Sequence, residues 1–380
     1  MSMKKIKMQS SFEKNKALLS KPHFLLLDAL RGVAALIVLV YHFFEGFATS
    51  SQDQMCNHGY LAVDFFFILS GFVIGYAYDD RWKTMSMGTF FKRRLIRLHP
   101  MVIAGVLIGA ATFVLQGSEH WDGTKVSTSM LMLAMLLNLF MLPVFPGMGP
   151  EVRGNGEMFP LNGPNWSLFF EYIGNICYAI FIHRLSTKVL AGLVVILGAM
   201  LGAYCVFNMS GDWHLGVGWS MDGWGFPGGL LRMLFSYTFG MLLSRKFRPC
   251  RAPGAFGIST FILVALLPLP FLGEVSNALF EFFCIAAVFP FVVWYAASGS
   301  VSGKVSKKVC TFLGDISYPV YVVHYPFMYL FYDWVWDNKV PLAQAWPYGV
   351  LVIVGSVLLA WVLFNIYDKP VRRWLLRRVR

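Results

Sequence analysis

The sequence predicts an all-α polytopic membrane protein of about ten transmembrane helices plus one re-entrant or partial helix, with both termini cytosolic. Three observations carry that reading. Hydrophobic residues make up 57% of the 380 positions and charged residues only 14%. Apolar runs of about 20 residues, the length that crosses a hydrocarbon core, recur from residue 24 to residue 367. The short alternating strands of a transmembrane barrel do not occur in the sequence.

In order, apolar segments lie near 25–46, 60–78, 97–116, 129–145, 166–183, 189–208, 229–245, 254–273, 278–297, 316–336 and 345–367. Lys and Arg crowd the N-terminal stretch, 79–97, 245–251, 303–308 and the C-terminus, and basic segments belong in the cytosol. Both ends inside requires an even number of crossings. Eleven candidates reconcile with that if 129–145, which holds Asn138 and Pro143, does not fully cross. The Gly- and Pro-rich stretch 146–165 then lies on the outer side. The chain divides into a cytosolic tail (1–23), a transmembrane domain (24–370) and a basic cytosolic tail (371–380).

The net charge of +12 is the excess that cytosolic loops of membrane proteins carry, so no nucleic-acid partner is implied. The six cysteines form neither a CxxC pair nor a Cys/His cluster at zinc spacing, so no metal site is expected. "MSMKKIKMQSSFEKNK" reads as a tail before an uncleaved first span rather than a signal peptide.

Against this apolar background, ionisable residues inside the spans stand out. Arg31 and His42 are eleven residues apart. At 100° per residue they project from one helix face, roughly 16 Å apart along the axis. Asp64 in the second span is expected at the depth of His42 and is its expected partner. Glu171, in "NWSLFFEYIGN", is expected at the same depth. Arg94 and Arg97 share a face where the third span begins, a pair suited to phosphate oxygens, although ordinary positive-inside charge competes with that. His324 falls near mid-membrane. Ser70 and Gly71 allow close helix approach.

These stretches, in this order, resemble the acyltransferase-3 family of integral membrane acyltransferases. "LDALRGVAALIVLVYH" matches its Arg-x10-His opening, "AVDFFFILSGF" its second-helix element with Ala62 where Gly is usual, and "RRLIRLHP" its Arg-x-x-Arg pair. "NWSLFFE" and "LGDISYPVYVVHYP" match two further motifs, and "YDKP" carries Asp368 where the family has Glu. The resemblance runs from about residue 27 to 370. It implies a stand-alone membrane domain that moves an acyl group, commonly acetyl, from cytosolic acyl-CoA to a hydroxyl of an extracytoplasmic or membrane-linked glycan. Acyl-CoA is then a substrate, with no permanently bound cofactor.

In that frame Arg31, Arg94, Arg97, Ser70, Ser317, Tyr318 and His324 are the expected donor-binding residues. His42 would act as general base or acyl relay, oriented by Asp64 with Glu171 in reserve. Trp166, together with Trp213, Trp219 and Trp224 of the loop "NMSGDWHLGVGWSMDGWGFPGG", offers ring faces suited to sugars, or an interfacial aromatic belt. His23 and Asp28 have the His-x4-Asp spacing of glycerolipid acyltransferases without companion motifs, and are set aside as coincidence. The competing function is a transporter or flippase using the same intramembrane charges, but no inverted repeat supports it. The expected location is the cell membrane, in multi-pass form.

Overall fold

The computed structural model describes residues 23–378, so all but the last residue of the expected 1–23 tail, and residues 379–380, lie outside the described residues. The described chain is helical: α1 (Leu25–Glu45), α2 (Ala62–Tyr78), α3 (Met87–Leu115), α4 (Thr128–Leu139), α5 (Asn165–Ile180), α6 (Thr187–Val206), α7 (Gly225–Lys246), α8 (Ala255–Leu266), α9 (Glu274–Phe283), α10 (Phe289–Ser298), α11 (Lys304–Val323), α12 (Tyr325–Asp337), α13 (Leu342–Leu363) and α14 (Lys369–Arg378). Among the described residues, six helical runs are long and apolar enough to cross a bilayer: 25–45, 57–78, 87–115, 187–206, 274–298 and 342–378. The expected spans at 166–183 and 254–273 are instead built on helices of sixteen and twelve residues. α4, with twelve, rises about 18 Å and falls well short of a ~30 Å core.

Serines start three of these helices. The Ser86, Ser127 and Ser186 hydroxyls accept from the backbone N–H groups of Thr89, Met130 and Val189, satisfying donors that the first turn leaves free. Prolines shape others. Pro290 and Pro370 each lack the N–H that would reach the carbonyl four residues back, and both follow π-turns, Cys284–Val288 and Phe364–Asp368, that absorb the mismatch. Pro326 likewise leaves the Val322 carbonyl without its helical donor. Asn162 Nδ2 fills that place at 2.8 Å, and the chain breaks at His324 between α11 and α12.

Two helix pairs meet at backbone distance. A Cβ at Gly71 of α2 would stand 2.0 Å from the Tyr237 carbonyl oxygen of α7, and one at Gly240 2.0 Å from that of Ile68. A Cβ at Gly32 of α1 would stand 2.3 Å from the Leu313 oxygen of α11. Small residues are what permit such contact.

The stretch 146–164 is no loose surface loop: it folds into the bundle, with 151–153 and 157–164 buried. Arg153, fully buried, holds it there. Its Nε donates to the Pro160 carbonyl (3.0 Å), its Nη1 to Gln116 Oε1 (2.5 Å), and its guanidinium lies 3.8 Å over the Tyr329 ring. Glu157 accepts from the Tyr329 hydroxyl and from Asn155 Nδ2, and burial pushes its carboxyl up to about 7.

Candidate active site

A cavity of about 550 Å³ opens among α1, α2, α3, α5 and α11. Arg31, Arg94, Arg97, Ser70, Glu171, Ser317 and Tyr318 all line it, so seven of the expected site residues share one chamber. They are not equivalent. Arg94 Nη2 donates to Glu171 Oε1 at 2.5 Å, and Ser70 Oγ donates to the same oxygen at 2.8 Å. Arg31 shares Asp28 with His23, at 3.3 and 2.8 Å, so the His23–Asp28 pair does touch, at the cavity mouth. Arg97 has no carboxylate partner among the described residues and projects into the cavity beside Arg31. Ser317 Oγ and Tyr318 Oη are committed to the Gly314 and Leu98 carbonyls. Arg97 therefore keeps the donor capacity for an incoming anion, whereas Arg94 is held by Glu171.

Tyr321 and Ser167 also line the cavity, and their hydroxyls are 2.7 Å apart. Past that pair lies the imidazole cluster. The His324 ring is 6.0 Å from that of Tyr321 and 5.3 Å from that of His42. His42 Nδ1 meets Glu45 Oε2 at 2.7 Å, and the same oxygen accepts from Tyr332 (3.0 Å) and Tyr325 (3.3 Å). A carboxylate takes hydrogen bonds and gives none, so Nδ1 carries a proton, and in the neutral ring Nε2 is the atom with the lone pair. His324 Nδ1 lies 3.0 Å from the Val320 carbonyl oxygen, which fixes the same tautomer. Its Nε2 is buried and has no hydrogen-bond partner.

Two expectations are corrected. Asp64 is not the partner of His42. It forms a fully buried, two-pronged pair with Arg232, Nε to Oδ1 at 3.2 Å and Nη2 to Oδ2 at 2.5 Å, and Nη1 also donates to the Val217 carbonyl. Nor is Glu171 at the depth of His42. It meets Ser70, roughly 9 Å further along α2 than Asp64. The reason is the inserted 146–164 stretch, which makes α5 begin inside the bundle rather than at its surface.

The tryptophans differ in setting. Trp166 lies 5.6 Å from the Arg232 guanidinium, Trp213 is half-buried with its carbonyl accepting from Asn277, and Trp219 and Trp224 are exposed. Among the described residues no group of three or more His, Cys, Asp or Glu side chains is arranged to hold a metal, and all six cysteines are free.

The sequence reading passed over Glu45 and Arg232. Glu45 stands three residues after His42, the spacing that puts two side chains on one helix face. Arg232 is a lone cation in "GGLLRMLFSY", as conspicuous in an apolar span as Asp64.

Fold and site together define a multi-pass membrane protein whose polar chemistry lies inside a helical bundle. Within that class the chain belongs to the acyltransferase-3 family, whose acyltransferase-domain model matches residues 24–365. It is 35% identical to protein 2 in the picA locus of Rhizobium radiobacter over 43% of this chain and 85% of that one. It is 31% identical to acyltransferase MdmB of Streptomyces mycarofaciens over 43% of this chain and 40% of that one. A protein of Staphylococcus aureus (strain COL) that bears an O-acetyltransferase name is 35% identical over 24% of this chain and 15% of its own. The matched region thus spans less than half of the latter two relatives. No solved structure matches the chain.

Proposed function

We propose that this protein transfers an acyl group, acetyl by preference, from cytosolic acyl-CoA to a hydroxyl of an extracytoplasmic or membrane-linked glycan, and that it does so in a bacterial inner membrane. The observation that carries the reading is one helix, α1, with two chemistries. At one end Arg31 lies beside Arg97, which has no carboxylate partner among the described residues, in a cavity, and at the other His42 is backed by Glu45. Arg97 and Arg31 meet the phosphates of the donor, a task suited to guanidinium. The pantetheine arm threads the cavity toward Tyr321, and the thioester reaches the bare Nε2 of His42. Glu45 holds Nδ1–H and stabilises positive charge on the ring as it forms. A positioned imidazole of this kind contributes about 10²–10⁴-fold. Arg94 keeps Glu171 in place as part of the cavity wall, and the Asp64–Arg232 pair ties α2 to α7 beneath the outer loop.

The test is transfer of label from acetyl-CoA to envelope glycans in membranes containing wild type, His42→Ala or Arg97→Ala, with donor binding followed by thermal stabilisation of the purified protein. His42→Ala is expected to lose transfer and keep stabilisation by donor. Arg97→Ala is expected to lose stabilisation. Full transfer by His42→Ala would remove the reading of the site.

A further inference from the structure

Resting on the acyltransferase reading above, we propose that His324 is a second base, which activates the acceptor hydroxyl after His42 itself has taken the acyl group. His324 is fully buried at the break between α11 and α12. Its Nδ1–H is committed to the Val320 carbonyl, its Nε2 has no partner, and its ring stands 5.3 Å from that of His42. A buried polar atom left without a hydrogen bond is costly and calls for an explanation, and here a reacting group beside His42 supplies one. Two imidazoles with the same tautomer, side by side, are one more than direct transfer needs.

A relay needs both. In the first half-reaction the Nε2 lone pair of His42 adds to the thioester carbonyl carbon. The C–S bond breaks, the thiolate leaves with the bonding pair, and the Nδ1 proton passes to Glu45. The product is a neutral acyl-imidazole. Its Nε2 lone pair is now spent on the acyl group, so His42 can no longer take a proton from an alcohol there. In the second half-reaction His324 Nε2 removes the acceptor proton as the oxygen attacks the acyl carbon. The C–N bond breaks, its pair returns to the His42 ring, and Nδ1 recovers the proton held by Glu45. His324 then gives its proton to water, and the thiolate takes one up. Acyl-CoA and alcohol have become ester and CoA thiol.

Tyr321, which lines the cavity, stands 6.0 Å ring to ring from His324, so the donor meets the imidazole pair from the cavity and the acceptor uses the pair in turn. His42 is served by a carboxylate that can hold a proton between the two steps. His324 is served only by a carbonyl, which cannot, so its proton has to come from the acceptor and leave afterwards.

The relay separates into two measurable reactions: exchange of labelled CoA with acyl-CoA in the absence of acceptor, and net transfer to glycan. His324→Asn keeps a donor near the Nδ1 position for the Val320 carbonyl and removes the Nε2 base. It is expected to exchange like wild type, to retain one labelled acyl group per chain after quenching, and to lose transfer by about 100-fold or more. His42→Gln is expected to lose exchange, label and transfer together. Stabilisation by acyl-CoA reports that each variant is folded, and His324→Gln serves as the second variant. Normal transfer by a folded His324 variant overturns the second base. So does loss of exchange in parallel with transfer. Wild type that transfers acyl groups without any exchange overturns the relay with no variant involved. Wild type that neither exchanges nor transfers overturns instead the acyltransferase reading beneath it.

Discussion

Replacing Glu45 with Gln is the sharpest probe of the His42 cluster. The Oε2 atom of Glu45 accepts three hydrogen bonds, from His42 Nδ1, Tyr332 and Tyr325. An amide oxygen can take all three, so the geometry survives and the charge is what goes. In the proposed mechanism the charge acts on the imidazolium that forms in the transition state. Two unit charges at about 4 Å with an effective dielectric near 20 attract by about 4 kcal/mol, and hydrogen bonds to charged groups are worth about 1.5–3 kcal/mol. The loss should therefore be about 2–4 kcal/mol, or roughly 30- to 1000-fold in kcat. Glu45 does not line the cavity proposed to take the donor, so the apparent affinity for acyl-CoA should not move. Initial rates of acetyl transfer at saturating acceptor, with donor concentration varied, separate the two quantities. A kcat equal to that of wild type, or a loss confined to the donor KM, would refute the reasoning.

Three further outcomes follow from the ion pairs and the inserted loop. Arg97→Ala should weaken donor binding by about 10- to 100-fold without lowering Tm, whereas Arg94→Ala strands Glu171 and should cost about 2–3 kcal/mol of stability; ligand titration and unfolding in detergent distinguish them. Asp64→Ala leaves Arg232 buried without a counter-charge and should cost about 3–5 kcal/mol, and the paired change Asp64→Leu with Arg232→Met should cost less; equal damage by single and paired changes would count against a mutual role. Glu157 keeps its proton in the folded protein up to about pH 7 and loses it near its ordinary value of 4.5 when unfolded. Between those values the folded state binds more protons, so stability falls as pH rises through the window, by about 3 kcal/mol, and Glu157→Gln should flatten that slope. Thermal unfolding of both proteins at pH 5 and pH 8 checks the sign, and identical shifts would refute it.

Much of the helical framework was legible because apolar length and charge asymmetry are written directly in the chain. The short α4 was legible too, since Asn138 and Pro143 interrupt its apolar run. Depth was the weak point. Counting residues from a helix end gives depth only if the helix begins at the membrane surface. The 146–164 stretch breaks that assumption by burying itself around Arg153, so Glu171 lands beside Arg94 and Ser70 instead of His42. Partner choice was the other weak point. Asp64 and His42 are both polar and both in α-helical spans, but Arg232 offers Asp64 two charge-assisted bonds that an imidazole cannot match, and Glu45 is already on the face of α1 that His42 uses. Shared depth limits which residues can meet, and the stronger pairing then decides among them.

The glycine contacts set a mechanical limit on the cavity. α1 is seated on α11 through Gly32, and α2 on α7 through Gly71 and Gly240, with main chain against main chain in both seams. At Gly32, Gly71 and Gly240 each pair is a jaw that side-chain repacking cannot thin, since a backbone carbonyl stands against the glycine there. The cavity lies between the jaws, with α1 and α11 supplying Arg31 and Tyr321 and α2 supplying Phe66, Phe67 and Ser70. Its clearance is thus gauged by backbone, as in a vice at fixed opening. Room for a bulkier chain has to be cut from the lining, at Phe66 or Phe67, and cannot be gained by easing the helices apart.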